Sequence, residues 1–469
     1  MNFNRTLLNK YVFKFVLYFL VVSFICVFQY FLEWKSVGAS LIVVLTYLLY
    51  RPVGFFHPCN VIAAFYMLYL VLPSSVNLYF DYSNWEYLLP WGQFVFWNEM
   101  SAYSIYQIQF TFISMYLTCY KLLFKYDNNF KLILLRLIDK IDYSHIRMVP
   151  LFGIYILSVA LYVFFITETG GFSYWFENYS STYLHGRAGF GWLLTMAITL
   201  SNITVFYFGI RFYQLRNSVR VRMIFLILAF SMIFLSGFAG GFKSRIILLI
   251  IIFYVPTLMS IKLSLTKLTV LALCFFTFLF LLTYVRSEGF YGTFGFFLEG
   301  LVGYFNTYYL HDMVVQSRDP SFFTTTGYFL NKPLMMLGLI GPNHEYDLSI
   351  MLTKEFYPNH WYIDRATQQW PLETDLYLNF GGFYLQLLPV VLYATFISAI
   401  YKLAFVKARL AFILIAIFEL IRIMTTLRWV LIPWDIPIWA TQYAFYYLAY
   451  LILVSRGNAS ASSRGLSNV

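Results

Sequence analysis

Long apolar runs recur along almost the whole of this 469-residue chain, and they constrain its fold more than any other feature. Twelve of them, each of roughly 15–25 residues, are of the length needed to cross a bilayer as helices. They cover about 11–32, 37–50, 57–73, 100–124, 148–167, 189–210, 223–238, 245–260, 265–285, 376–401, 408–427 and 436–454. The pattern predicts an all-α polytopic membrane protein with about twelve transmembrane helices.

The composition and charge agree with a membrane protein. Of the residues, 61% are hydrophobic and 11% are charged, and the mean hydropathy is +0.69, far from the average soluble domain. The formal charge of +11 would suggest nucleic-acid binding in a soluble protein. Here the basic residues lie between the apolar runs, so we interpret them as cytoplasmic anchors of membrane loops.

The distribution of charge predicts the orientation. With the N-terminus in the cytoplasm, 21 of the 32 basic residues lie in cytoplasmic segments, and three acidic residues, Asp127, Asp139 and Asp142, do so. The positive-inside rule then favours two cytoplasmic termini and an even number of spans. The first apolar run lacks a small-x-small cleavage site, so we expect a retained first span rather than a signal peptide.

One long polar segment interrupts the apolar pattern. We predict transmembrane helices 1–9 in residues 1–285, a large periplasmic loop with short helices at 286–375, helices 10–12 in 376–454, and a disordered cytoplasmic tail at 455–469. An insertion of this size is usually functional or folded separately. We therefore look for chemistry in this loop and at the span ends that face it.

The first candidates are Lys243 and Arg245, which follow glycines at the start of the eighth apolar run. The first N–H groups of a helix are unpaired, and a helix N-terminus beside two cations suits an anion such as pyrophosphate. The alternative is that both side chains snorkel to the interface. The positive-inside rule disfavours cations on this face, which favours the functional interpretation.

Three ionisable residues mark the eleventh run. Glu419 and Arg422 lie at membrane depth, where such groups are costly and usually functional. They are three residues apart, so an ion pair within the helix is the simplest alternative. Arg428 lies at the outer end and is a further candidate for phosphate, although it is about 240° from Arg422 around the helix.

Arg286 directly follows the ninth run and begins the long loop. It is a candidate to complete a pyrophosphate pocket with Arg245 and Arg428. An equally good interpretation is a charged residue that flanks a span.

The loop supplies candidate acids and bases. Glu373 and Asp375 stand at the start of the tenth run, and His344 lies within the loop. A carboxylate or histidine there can take a proton from an attacking sugar hydroxyl. The alternative for each carboxylate is a solvated charge.

The sequence contains no recognisable metal motif. The loop histidines, His311, His344 and His360, have no ligand spacing, and the four cysteines form no CxxC pair. We therefore expect neither a metal nor another cofactor, and no disulfide framework.

These features together resemble the Wzy-type oligosaccharide repeat-unit polymerases, the O-antigen polymerase family. The resemblance covers the C-terminal two thirds of the chain. It depends on Gly-Gly-Phe-Lys-Ser-Arg245 at the start of a span, Arg286 at the start of a long outer loop, Glu373-Thr-Asp-Leu-Tyr-Leu-Asn-Phe-Gly-Gly382 at re-entry, and Arg428 near the outer end of the penultimate span.

The resemblance implies a GT-C-like glycosyltransferase in the inner membrane of a bacterium. Such an enzyme transfers a glycan from undecaprenyl pyrophosphate to a sugar hydroxyl of a new lipid-linked repeat unit. It implies that Arg245, Arg286 and Arg428, with Lys243 and Arg422 as further candidates, contact pyrophosphate. By analogy, a chain-length regulator is a partner.

Two other functions remain open. An O-antigen ligase transfers the finished chain to a lipid core, and a flippase moves lipid-linked oligosaccharide across the membrane. A flippase should have polar residues along several spans and short outer loops. The long outer loop and the apolar spans favour an enzyme.

Overall fold

A computed structural model gives the fold. It describes residues 5–31, 35–80, 86–88, 94–96, 100–127, 130–177, 191–240, 242–259, 264–286, 305–325, 327, 331, 334, 339–341, 347–363, 367–383, 385–427 and 442–455. The described chain is mostly helical, so the predicted all-α class is confirmed. The twelve-span count and the orientation stay predictions.

Within the described residues, helices follow one another along the chain, with few strands between them. They are α1 (Arg5–Phe31), α2 (Lys35–Leu49), α3 (Pro58–Tyr66), α4 (Leu72–Phe80), α5 (Ala102–Asp127), α6 (Phe130–Asp142), α7 (Met148–Glu168), α8 (Gly171–Glu177), α9 (Gly191–Gln214), α10 (Val219–Gly240), α11 (Phe242–Leu258), α12 (Leu265–Arg286), α13 (Thr307–Ser317), α14 (Leu348–Phe356), α15 (Pro358–Tyr362), α16 (Leu372–Asn379), α17 (Leu387–Tyr401), α18 (Leu410–Leu427) and α19 (Ala444–Leu453). Two π-helical segments, Met67–Val71 and Lys402–Val406, follow α3 and α17. Strands β1 (Glu86–Leu88) and β2 (Phe94–Phe96) form one antiparallel pair, and β3 (His145–Ile146) and β4 (Val454–Ser455) form another.

Several helices are suited to a membrane. By length and composition, five stretches within the described residues could cross one: Pro58–Val76, Met148–Glu168, Trp192–Gln214, Val219–Ala239 and Leu387–Val406. Shorter apolar helices accompany them. On these helices Ile156, Phe230 and Leu388 are 64%, 63% and 62% exposed. Large apolar side chains exposed on apolar helices are expected where lipid replaces water, and these helices therefore suggest a membrane protein.

The fourth predicted span is more polar than its length suggests. Helix α5 carries Ser104, Gln107, Gln109 and Thr111, all buried, and it is not among the five apolar stretches. It packs against α2, α3 and α17. Its polar side chains therefore face protein rather than lipid, as polar groups in a membrane helix should.

Part of the long loop has its own apolar core. Buried side chains from α13, α14, α16 and the segments beside them form a second hydrophobic cluster, separate from the main core. It consists of Leu310, Val314, Leu348, Leu352, Tyr357, Trp370, Tyr377 and Leu378. This part of the segment is therefore packed around buried side chains rather than being a simple connection.

The predicted boundary between loop and tenth span, at 375/376, falls inside α16. Helix α16 ends at Asn379, and α17 begins at Leu387. Between them Gly381 and Gly382 adopt φ of 70° and 92°, which L residues with a side chain rarely adopt. The glycines therefore break what hydropathy alone would predict as one continuous helix.

Candidate active site

Glu373 lies on α16, at the end of the bundle where α17 begins, which we call the loop end. Its carboxyl group is completely buried. Oε1 accepts a hydrogen bond of 2.8 Å from the hydroxyl of Tyr66, at the end of α3. Gln107 of α5 donates to the Glu373 carbonyl at 3.1 Å. Two helices of the bundle thus hold Glu373: α3 binds its carboxyl group and α5 binds its backbone carbonyl.

Burial changes the acidity of Glu373. Removal from water raises the pKa of its carboxyl to about 8, although the hydrogen bond from Tyr66 opposes the rise. Oε2 has no hydrogen-bond partner in the part of the chain that the structure describes. At neutral pH most of this group is therefore protonated and neutral, and it can donate a proton or, once ionised, accept one.

His311 of α13 joins the same network. Its Nε2 lies 2.9 Å from Gln107 Oε1, and its Nδ1 lies 3.1 Å from the Thr374 hydroxyl. Gln107 uses its amide nitrogen for Glu373 and for Gln386. Its oxygen must therefore accept from His311, which places the imidazole proton on Nε2.

Burial lowers the pKa of His311 to about 3. The ring is therefore neutral at neutral pH. We call Tyr66, Gln107, His311, Glu373 and Gln386 the carboxyl cluster.

Asp375 is also buried, but its hydrogen-bond partner differs from that of Glu373. Its Oδ1 accepts a hydrogen bond of 2.7 Å from Asn379, and Asn379 in turn accepts from the backbone N–H of Thr325 at 2.9 Å. Residues two positions apart in a helix differ by about 200° around its axis. Asp375 and Glu373 therefore lie on different sides of α16. The structure does not bring them together as a carboxylate pair.

Arg245 is buried between three helices. Its Nε donates to Ser236 of α10 at 2.9 Å, and its Nη2 donates to Asn202 Oδ1 of α9 at 2.7 Å. Nη2 also reaches Ser201 Oγ at 2.8 Å and the Ile198 carbonyl at 3.0 Å. All these acceptors are neutral. Among the described residues, no acidic side chain forms an ion pair with Arg245, so its charge is hydrogen-bonded but not neutralised.

Glu419 and Arg422 lie on α18, and both are buried. Glu419 accepts hydrogen bonds from Tyr393 of α17, at 2.9 Å, and from Tyr443. The guanidinium of Arg422 lies 5.9 Å from the ring centroid of Phe418. The Glu419 carboxylate thus accepts from one hydroxyl of α17 and from one just before α19. The intrahelical pair with Arg422 stays a prediction.

A chain of contacts connects Arg245 with Glu419. Asn202, which accepts from Arg245, donates to the Tyr446 hydroxyl of α19 at 2.7 Å. The Tyr446 ring stacks on that of Tyr443, with 6.3 Å between centroids. We call Asn202, Arg245, Glu419, Arg422, Tyr443 and Tyr446 the arginine cluster.

Helix α17 and the residue before it contact both clusters. Gln386, just before α17, belongs to the carboxyl cluster, and Tyr393 binds the Glu419 of the arginine cluster. Seven residues make about two helical turns, roughly 10 Å, and return to the same side of the helix. The arginine cluster therefore lies about two turns deeper in the bundle, beneath the carboxyl cluster.

The other predicted site residues lie outside what the structure describes. His344 and Arg428 are not described, and neither are the side chains of Lys243 and Arg286, although the backbones of the latter two belong to α11 and α12.

Sequence reasoning missed several members of the carboxyl cluster. In the sequence, His311 is notable as a possible metal ligand alone, and neither Tyr66 nor Gln386 is distinguished from other polar residues. The usable signal was Gln107, a polar residue in the middle of an apolar run.

Comparisons of the chain with protein-family models, with curated proteins and with solved structures found no match. The two clusters are therefore the features of this protein that bear on its function. Together they offer a neutral carboxyl group at the loop end and buried guanidinium groups beneath it. The first is suited to proton transfer, and the second to binding an anion.

Proposed function

We propose that this protein polymerises lipid-linked oligosaccharides into a surface polysaccharide such as O-antigen, at the outer face of a bacterial inner membrane. The donor is a glycan on undecaprenyl pyrophosphate, and the acceptor is a sugar hydroxyl of a second lipid-linked unit. The proposal is supported by a folded loop above a bundle of apolar helices, with ionisable groups buried where the two meet.

The surroundings of Arg245 are the main observation that supports this proposal. A buried cation is costly unless an anion compensates it, and the described residues provide neutral acceptors alone. The pyrophosphate of the donor would supply the missing negative charge. Arg422 lies in the same cluster, and Lys243, Arg286 and Arg428 keep the pyrophosphate-binding roles that the sequence predicts.

In the proposed reaction, the acceptor oxygen bonds to the anomeric carbon of the donor. The bond between that carbon and the pyrophosphate oxygen breaks, and its electron pair leaves with undecaprenyl pyrophosphate. Guanidinium groups stabilise the charge that develops there. The hydroxyl proton passes to a base. Ionised Glu373 is the first candidate, and Asp375 and His344 are the other candidates from the sequence.

The central test replaces Arg245. We expect Arg245→Ala to reduce polymer formation by about 10²- to 10³-fold, as loss of one oxyanion-stabilising donor typically does, while single-repeat glycan is still made. Arg245→Lys keeps the charge but not the forked geometry, so it should keep part of the activity. Polymer length in cells and turnover by purified protein are the two measurements.

A matched control is Arg318→Ala, because Arg318 is a loop arginine paired with Glu355 outside both clusters. It should leave polymer unchanged. If Arg245→Ala is present at the normal level in the membrane and polymer is also unchanged, Arg245 is not part of the site. Equal loss in both variants would have the same consequence.

A flippase is the second candidate, since buried polar side chains such as Ser201, Asn202 and Thr204 lie inside one apolar stretch. Purified protein separates the two functions. The polymerase should release undecaprenyl pyrophosphate from lipid-linked units in detergent without an energy source, and a flippase should not. A ligase is distinguished by deletion of the gene, because a polymerase mutant keeps a single repeat on the core and a ligase mutant leaves it bare.

A further inference from the structure

A basic cavity of about 970 Å³ lies at the end of the bundle opposite the loop end. It opens where α6, the strand pair β3–β4 and the start of α18 meet. Five basic side chains line it: Arg136, Lys140, Arg147, Lys407 and Arg409. No acidic side chain is among the described residues that line it. The cavity is therefore a concentrated site of positive potential.

These five cations are not neutralised within the described part of the protein. None of them forms an ion pair there, although exposed pairs exist elsewhere, such as Arg216 with Asp142 at 3.4 Å. The positive-inside rule accounts for basic residues in separate loops. It does not account for cations from three separate chain segments lining one cavity.

The backbone beside the cavity has an unusual conformation. The π-helical segment Lys402–Val406 follows α17, and Ala408 then adopts φ of 49°. A residue with a side chain rarely takes this left-handed conformation, and it persists where surrounding structure holds it. The turn holds Lys407 and Arg409 on either side of Ala408 at the cavity wall.

Arg147 is held differently. It directly follows β3, and its backbone N–H donates to the Leu453 carbonyl at 2.8 Å.

The cavity is bordered by apolar surface. On α6, Leu132 and Leu135 are each 51% exposed, on the helix that also carries Arg136 and Lys140. Leu451 of α19 lines the cavity itself and is 48% exposed. A free phosphate would need only the cations. A phospholipid would use the cations and the leucines together, because its headgroup would bind in the cavity and its acyl chains would pack against the leucines.

We propose that this cavity binds the headgroup of an anionic phospholipid. The ligand chemistry is a phosphodiester carrying acyl chains, and Arg136, Lys140, Arg147, Lys407 and Arg409 contact its oxygens. The site goes beyond the proposed glycosyl transfer, since it lies at the other end of the bundle and uses none of the residues of the two clusters.

The test measures lipid binding to purified, delipidated protein in detergent by native mass spectrometry. We expect phosphatidylglycerol to bind more tightly than phosphatidylcholine. Each basic residue near an anionic lipid surface adds about fivefold in affinity, so Lys407→Gln with Arg409→Gln should weaken phosphatidylglycerol binding by roughly 25-fold. Arg136→Gln with Lys140→Gln, on a different helix, should have a similar effect.

The control is Lys121→Gln with Arg220→Gln, which removes the same charge from two exposed residues outside the cavity. It should retain the affinity for phosphatidylglycerol. Equal binding of both lipids, or an equal loss of phosphatidylglycerol affinity in the control, would overturn the proposed site.

Inorganic phosphate tests the other source of the anion. If it displaces phosphatidylglycerol at matched phosphate concentration, the ligand is a free phosphate and the lipid assignment is wrong. Arg245→Ala should leave lipid binding intact, so failure of the proposed enzyme activity and failure of this site are distinguishable.

Discussion

At the scale of single residues, burial makes Glu373 a pH-sensitive part of the fold. Its pKa rises from 4.5 to about 8 on burial, so the folded protein binds more protons than the unfolded chain between these values. The stabilisation from this group is therefore fully present below pH 4.5 and is lost as the pH rises through about 8. We expect Glu373→Gln, which resembles the protonated carboxyl, to remove this dependence.

The measurement is the apparent melting temperature in detergent between about pH 5 and pH 9, which brackets the folded-state pKa. Wild type should lose thermal stability at the alkaline end relative to Glu373→Gln, and the two should converge at the acidic end. Glu355→Gln is the control, because that carboxylate is exposed and paired with Arg318. If wild type and Glu373→Gln respond identically to pH, the carboxyl is not buried in its neutral form.

The charged members of the clusters could be chosen from sequence, but their partners could not. Glu373 and Arg245 are prominent because ionisable groups beside apolar runs are costly. The hydrogen-bond partners of Glu373 are 307 residues away at Tyr66 and 266 residues away at Gln107. No periodicity relates positions so far apart, since tertiary packing alone brings them together.

At the scale of secondary-structure elements, α9 and α11 touch backbone to backbone, and this contact positions Arg245. A Cβ atom built at Gly209 of α9 would lie 2.1 Å from the carbonyl oxygen of Phe253 on α11. Glycine is therefore required for the two helices to approach. The approach brings Arg245 of α11 within 2.7 Å of Asn202 on α9.

We expect Gly209→Ala to force α9 and α11 apart and to cost about 1–3 kcal/mol of stability, as overpacking typically does. Gly153→Ala on α7 is the matched control, because nothing lies within 4 Å of the added Cβ. It should be neutral or stabilising by up to about 1 kcal/mol. Thermal unfolding of the two variants side by side is the measurement, and an equal response would show that the helices can yield at this contact.

Helix positions were predictable where apolar runs are bounded by polar residues. The predicted span at 148–167 matches α7 (Met148–Glu168) closely, whereas the predicted span at 376–401 begins eleven residues before α17. The difference arises because Leu376 and Leu378 are apolar for another reason. They belong to α16, where Leu376 joins the main core and Leu378 the core of the loop.

At the scale of the whole molecule, the helical membrane class could be read from composition and run length. The arrangement of two clusters along one side of α17 could not, because it depends on which helices become neighbours. The resemblance to repeat-unit polymerases also remains a prediction. The structure adds the relation between a carboxyl group at the loop end and arginines about two turns beneath it.

Orientation in the membrane is the property of the whole molecule on which the proposed transfer depends. Lipid-pyrophosphate glycans react at the outer face in this proposal, so the folded loop must lie outside and the basic cavity in the cytoplasm. Single cysteines can report both sides after Cys26, Cys59, Cys119 and Cys274 are replaced by serine. Tyr362→Cys marks the loop, where the side chain is 62% exposed, and Lys407→Cys marks the opposite end.

We expect a membrane-impermeant maleimide to label Tyr362→Cys in intact spheroplasts and to label Lys407→Cys once detergent has opened the membrane. The physical reason is the positive-inside rule, since the five cations of the cavity all lie at one end of the bundle. The cysteine-free protein, which should remain unlabelled, is the control. The reverse pattern would place the loop and Glu373 in the cytoplasm, and the proposed polymerisation at the outer face would be wrong because donor and acceptor glycans would lie across the bilayer from the site.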